Sequence, residues 1–160
     1  MGTERALDLA ADICREFEGF RARPYLCPAG IPTIGYGSTR HPDGRLVTLD
    51  DQPIDSETAG AYMRHELASL LRSVLAACPA LIAHPERLGS VLSWTYNLGP
   101  ARLRSSTMRV RINEGDWPNA AREMQRWKRG GGKVLPGLVR RRAVESAILE
   151  SGVYQWTATR

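Results

Sequence analysis

Apolar residues at positions 6, 7, 10, 13, 14 and 17 recur at helical spacing, while Arg5, Asp8, Asp12, Arg15 and Glu16 fall on the other side. This predicts an amphipathic helix with Thr3 as N-cap and Gly19 as terminator just past Glu18. Cys14 lies on the apolar face and reads as a small core residue. From about 20 to 50 the helical period is lost. Pro24, Pro28, Gly30 and Pro32 punctuate short segments there. Tyr25-Leu26, Thr33-Ile34-Gly35-Tyr36 and Leu46-Val47-Thr48-Leu49 have strand composition, with a turn at His41-Pro42-Asp43-Gly44-Arg45. The expected product is a small antiparallel sheet that must lean on a helix.

A long helix follows, capped by Asp55 or Ser56. Ala59, Met63, Leu67, Leu70, Leu71, Val74, Leu75 and Cys78 keep helical spacing until Pro79, about 30 Å of helix at 1.5 Å per residue. His65 falls on its surface and His84 in a loop. Beyond Pro85 the pattern is helical throughout. Segments 86–97, a short stretch around Met108, Val110 and Ile112, 117–127 capped by Asp116, and 138–150 are predicted helices. Trp94, Trp117 and Trp127 share their spacing with other apolar residues and read as core. Residues 128–133, KRGGGK, read as a flexible basic loop. The class is α+β: a β-containing lobe over residues 15–60, and a helical lobe made of residues 61–160 with 1–14, joined by the long helix.

Length and composition narrow the function classes. The 160 residues, 42% hydrophobic and 24% charged, suit one soluble globular domain. No apolar run approaches the roughly 18 residues of a membrane span, and Asp8 and Asp12 spoil the N-terminal segment as a signal peptide or anchor. The three cysteines (Cys14, Cys27 and Cys78) are widely spaced, match no metal pattern and read as reduced thiols. No metal or other cofactor is expected. Charge is unevenly placed. Residues 1–100 carry 9 Lys/Arg against 12 Asp/Glu, net −3, and residues 101–160 carry 13 against 5, net +8. A basic half points to an acidic partner such as nucleic acid, an anionic envelope or a carboxylate-bearing polymer, or to solvated helix faces alone.

Glu18 stands out at the C-terminal end of the first helix, where the dipole is negative and opposes ionisation of a carboxylate, as suits a proton donor. The residues that follow it match a known pattern. Glu18-Gly19, Tyr25, Cys27, the Thr33-Ile34-Gly35-Tyr36-Gly37-Ser38 segment, Tyr96-Asn97-Leu98-Gly99, Ser105-Ser106-Thr107, Asn113-Glu114-Gly115-Asp116-Trp117, Arg126-Trp127 and Gly137-Leu138-Val139-Arg140-Arg141-Arg142 occur in the order of one family. The chain resembles the phage-type lysozymes, or endolysins, the family of the phage T4 enzyme and of lambdoid phages such as P21, and is nearest the lambdoid branch. In that family a catalytic Glu is followed after eight residues by Asp or sometimes Cys, and after five more by Thr.

The resemblance implies a lysozyme-like fold with the site in a cleft between two lobes. It also implies hydrolysis of the β-1,4 bond between N-acetylmuramic acid and N-acetylglucosamine in peptidoglycan, with inversion of configuration. Glu18 would be the general acid, and Cys27 and Thr33 would hold and activate the water. A neutral thiol supplies no negative charge, so Cys27 needs help to ionise; Arg21, Arg23 or an arginine of the last helix are the candidates. A small buried Cys27 that leaves Thr33 alone to place the water is the other reading. Tyr36, Ser38, Asn97, Ser105, Thr107 and Arg141 are the candidate substrate contacts. Capping and packing are the alternatives for Asn97, Ser105 and Thr107, and Arg141 is also the expected partner of Glu18. The implied partner is the glycan strand, with no nucleic acid and no stable membrane anchor. The protein would be a monomer without a separate cell-wall-binding domain, held in the host cytoplasm until a holin releases it to the periplasm. Three other readings stay open: a lytic transglycosylase on the same bond, a basic helical nucleic-acid-binding protein, and a non-catalytic glycan binder.

Overall fold

The computed structural model describes residues 2–154. Helix α1 (Gly2–Glu18) buries Ala6, Leu7, Leu9, Ala10, Ala11, Ile13 and Cys14 along one stripe and ends at Gly19, whose φ of 68° stops it. Strands β1 (Arg21–Leu26) and β2 (Pro32–Gly35) pair antiparallel, Tyr25 against Thr33 and Leu26 against Pro32. Helix α2 (Ser56–Ala77) starts where the Asp55 side chain accepts from the Thr58 N–H. A 3-10 turn (Pro79–Ala83) leads into α3 (Pro85–Leu98), then α4 (Pro100–Ser105), α5 (Thr107–Asn113) and α6 (Trp117–Gln125). A hairpin of β3 (Arg129–Gly130) and β4 (Lys133–Val134) precedes α7 (Pro136–Ser151).

Two segments differ from their expectation. Residues 46–49 form no strand, because the Asp51 side chain accepts from the Thr48 N–H (2.9 Å) and the Thr48 hydroxyl (3.2 Å) and folds the segment into a turn. Only Leu46 pairs, in an isolated bridge with Arg40. The expected flexible loop at 128–133 is instead a hairpin. Gly131 and Gly132 both take positive φ, 56° and 79°, which is what a two-residue turn with the twist of its flanking strands requires.

One continuous core joins α1, α2, α3, α4, α5, α6 and α7, with Trp94 completely buried at its centre and Trp117 and Trp127 packed against it. Loop 39–51 is pinned to α2 through His41. Its Nε2 contacts Asp51 Oδ2 at 2.8 Å and its Nδ1 contacts the Tyr62 hydroxyl at 3.0 Å. Helices α1 and α3 approach closely at Gly89, where an added Cβ would lie 2.8 Å from both the Ala6 carbonyl oxygen and Leu9 Cδ2. That crossing matters because α1 carries Glu18. Gly89→Ala is therefore expected to cost about 1–2 kcal/mol by chemical denaturation, since overpacking against a rigid carbonyl outweighs the helix-propensity gain of alanine. A stabilised Gly89→Ala protein would contradict this account of the crossing.

Candidate active site

Glu18 ends α1 with its side chain 21% exposed, and a buried cation stands behind it. Arg141 of α7, 2% exposed, donates from Nη1 to Glu18 Oε1. Its other two nitrogens are engaged as well. Nε bonds Glu145 Oε1 at 3.0 Å, and Nη2 reaches the Ser93 carbonyl at 3.0 Å, the Ser93 hydroxyl at 3.2 Å and Cys14 Sγ at 3.5 Å. Burial alone would discourage the charge on Arg141, but Glu145, Cys14 and Glu18 outweigh it and push the pKa up. Among the three consecutive arginines Arg141 holds Glu18. Arg140 is exposed, and Arg142 turns into the protein toward Asn97 Oδ1, at 3.0 Å.

The hairpin supplies the second group. Cys27 is half-exposed at the end of β1, in a tight turn where its own N–H donates to the Ile31 carbonyl (3.0 Å) and Gly30 N–H donates to its carbonyl (2.7 Å). Hydrogen bonding from the backbone of Ile31 and Ala29 favours the anion and lowers the thiol pKa below its ordinary range. No arginine is among these causes. The Arg21 guanidinium lies instead over the Tyr25 ring, 4.3 Å from its centroid. Thr33 is buried, and its hydroxyl donates to the Ile31 carbonyl at 2.9 Å, so one loop organises both side chains. The return strand then brings Gly37 beside Glu18; a Cβ there would sit 3.8 Å from Oε2.

The other candidate residues separate into two groups. Tyr36 is half-buried, and its carbonyl accepts from the Tyr96 hydroxyl at 3.1 Å, tying the hairpin to α3. Ser38 is 1% exposed, and its buried hydroxyl has no hydrogen-bond partner among the described residues. Ser105 donates back to the carbonyls of Ala101 and Arg102 within α4. Thr107 is exposed as the first residue of α5, where Ser106 makes the capping bond to the Arg109 N–H. Asn97 sits at the mouth of the buried α7 network, fixed by Arg142.

Alongside, loop 39–44, α2 and α3 enclose a groove of about 400 Å³ lined by Thr39, His41, Tyr62, Glu66, Thr95 and Tyr96. Burial raises the Glu66 pKa, with Ser38, Tyr96 and Glu18 as its neighbours. Two groups of residues escaped the sequence reading: Glu66 on α2, and Glu145 with Ser93 behind Arg141. The spacing of Arg141 and Arg142 four and three residues before Glu145 was the available signal for the second.

A model of the phage lysozyme family matches residues 15–145, which spans Glu18, Cys27, Thr33, Arg141 and Glu145. The chain belongs to the phage lysozyme family. It is 29% identical over 143 residues to the endolysin of Acyrthosiphon pisum secondary endosymbiont phage 1, covering 87% of this chain and 93% of that one. Among solved structures, the endolysin from Escherichia coli O157:H7 phage FAHEc1 superposes with a TM-score of 0.79 at 32% identity, over 91% of this chain and 93% of the other. The muramidase domain of SpmX from Asticaccaulis excentricus superposes with a TM-score of 0.72 at 27% identity, over 89% and 94%. The lysozyme-like fold of this phage lysozyme is thus an α+β arrangement, mainly helical with small antiparallel sheets.

In this phage lysozyme, removing Arg141 would leave Glu18 and the buried Glu145 without their shared cation. Arg141→Met is expected to destabilise the fold by about 3–5 kcal/mol, because breaking a buried pair strands its partners. Arg141→Lys should recover only part of this, since an ammonium lacks the fork that reaches Glu18, Glu145 and Ser93 together. Thermal and chemical unfolding of the two variants measures both effects. Equal stability of Arg141→Met and wild type would contradict the role given to the pair.

Proposed function

We propose that this phage lysozyme is a muramidase that hydrolyses the β-1,4 bond between N-acetylmuramic acid and N-acetylglucosamine in peptidoglycan during host cell lysis. The observation that carries the reading is the pairing of unlike groups. A carboxyl is held by a buried arginine at a helix end, and a thiol sits in a turn whose backbone amides favour its anion. Glycoside hydrolysis needs an acid at the leaving oxygen and a second group for the water on the opposite face of the sugar. Glu18 is the acid. Cys27, as thiolate, takes the proton of the water, and Thr33 orients that water. No carboxylate stands at position 27, so a lytic transglycosylase acting through Glu18 alone is the second reading. The protein acts as a monomer on glycan strands, reaching them from the host cytoplasm after a holin opens the membrane. The domain division that fits this reading is a β-containing lobe over 15–60 against the helical remainder.

Glu18→Gln is expected to lower lysis of outer-membrane-stripped Gram-negative cells by about 10²–10⁴-fold, the usual worth of a positioned acid. The sign for Cys27 follows from its depressed pKa. The thiolate is present above that pKa, so activity is lost as pH falls through it. Cys27→Asp should carry activity to lower pH, toward the carboxylate range near about 4, and should resist thiol alkylation. Full activity of the alkylated wild-type protein would overturn the thiolate role. Mass spectrometry of the muropeptides separates the two reactions. Hydrolysis adds a water, and an anhydro product would establish the transglycosylase.

A further inference from the structure

The charged side chains behind Glu18 continue beyond Arg141. Glu145 is completely buried between two guanidiniums, with Arg141 Nε 3.0 Å from Oε1 and Arg142 Nε 3.0 Å from Oε2. Ser93 donates to Oε1 at 2.6 Å. Arg142, 1% exposed, spends Nη2 on Asn97; its buried Nε and Nη1 and Glu145 Oε2 form no hydrogen bond among the described residues, so Arg142 meets Glu145 as an ion pair alone. Glu18, Arg141, Glu145 and Arg142 thus form one row of alternating sign, neutral as a set when all four are ionised. A general acid passes through a protonated state, and in that state the row holds one positive charge with nothing to balance it. Any change in the far half of the row alters how strongly Glu18 is drawn to ionise.

Resting on the reading that Glu18 is the acid, we propose that Glu145 and Arg142 are positioning residues for the reaction. Acting through Arg141, they hold its fork against Glu18 and set the pH at which Glu18 gives up its proton. Burial, partly offset by Glu145, brings the Arg142 pKa down to about 10, so its charge persists at neutral pH. Other ionisable groups close to Glu18 are Cys14 on its own helix, Glu66 on α2 and Tyr96 on α3. Burial raises the pKa of all three, that of Cys14 to about 12, and they set a common background for every variant.

The signs are opposite for the two residues. Glu145→Gln deletes a negative charge, favours ionised Glu18, and should move the alkaline limb of the pH–activity profile down by roughly one unit. Arg142→Met deletes a positive charge and should move it up by a similar amount. The double variant should return close to wild type, whereas loss of packing alone would make it worse than either single variant. Carbon-13 titration of the Glu18 carboxyl, assigned by its loss in Glu18→Gln, reads the same shifts without substrate. Circular dichroism identifies folded variants; if Glu145→Gln does not fold, the upward shift in Arg142→Met carries the test. Shifts in one direction for both variants, or unmoved midpoints with lowered turnover, would overturn the proposal. Wild-type protein that cleaves no glycan but shows the opposed titration shifts would instead overturn the muramidase reading and leave the coupling standing.

Discussion

The contact between Arg141 and Glu18 is the constraint on which the arrangement depends. Burying a guanidinium is costly unless it is paired and hydrogen-bonded, and the partners of Arg141 lie on three elements: Glu18 and Cys14 on α1, Ser93 on α3, and Glu145 on its own helix. Satisfying one guanidinium therefore fixes α1, α3 and α7 relative to one another. On α3, Gly89 allows the close approach to α1, and Ser90 and Ser93 bond the Glu145 carbonyl and carboxylate of α7. Buried ion pairs are weak sources of net stability, since desolvation consumes most of the Coulombic gain. Their value here is geometric: few alternative packings leave all of these groups paired.

Much of this was legible in the chain, and the exceptions share a cause. Helix periodicity located α1 and α2, Asp55 and Asp116 capped where expected, and Gly19 stopped α1. Side chains that satisfy backbone groups were harder to foresee. Asp51 removed Thr48 from strand pairing, and nothing in the apolar alternation of residues 46–49 announces that. The hairpin at Gly131-Gly132 was readable in principle, because paired glycines between short segments are a turn signal, but the basic flanks suggested a solvated loop.

At the site, residue types were legible and their surroundings were not. The resemblance brought Cys27 and Thr33 forward beside Glu18, but the environment of Cys27 depends on backbone groups of its own turn, which a sequence does not display. Helix α7 is the clearest case. Its buried positions include Arg141, Arg142 and Glu145, residues that periodicity assigns to solvent. A helix whose inner face is charged looks like a surface helix until the opposing Glu18 and Asn97 are seen. Ser38 shows the limit from the other side. A small polar residue after a glycine-rich segment reads as a donor to ligand, whereas its burial at 1% exposure shows only in the folded chain.

Glu18 and Cys27 are held by different means. Glu18 is held by a side-chain cation, through the single contact from Arg141 Nη1 to its Oε1. Cys27 depends chiefly on backbone amides of its own turn. Amides directed at a point favour negative charge there whatever atom carries it, as the anion-binding concavities of other loops do. A turn of that kind favours the anion of the Cys27 thiol through its own backbone, whereas the Glu18 carboxyl is held from outside its helix by one side-chain cation.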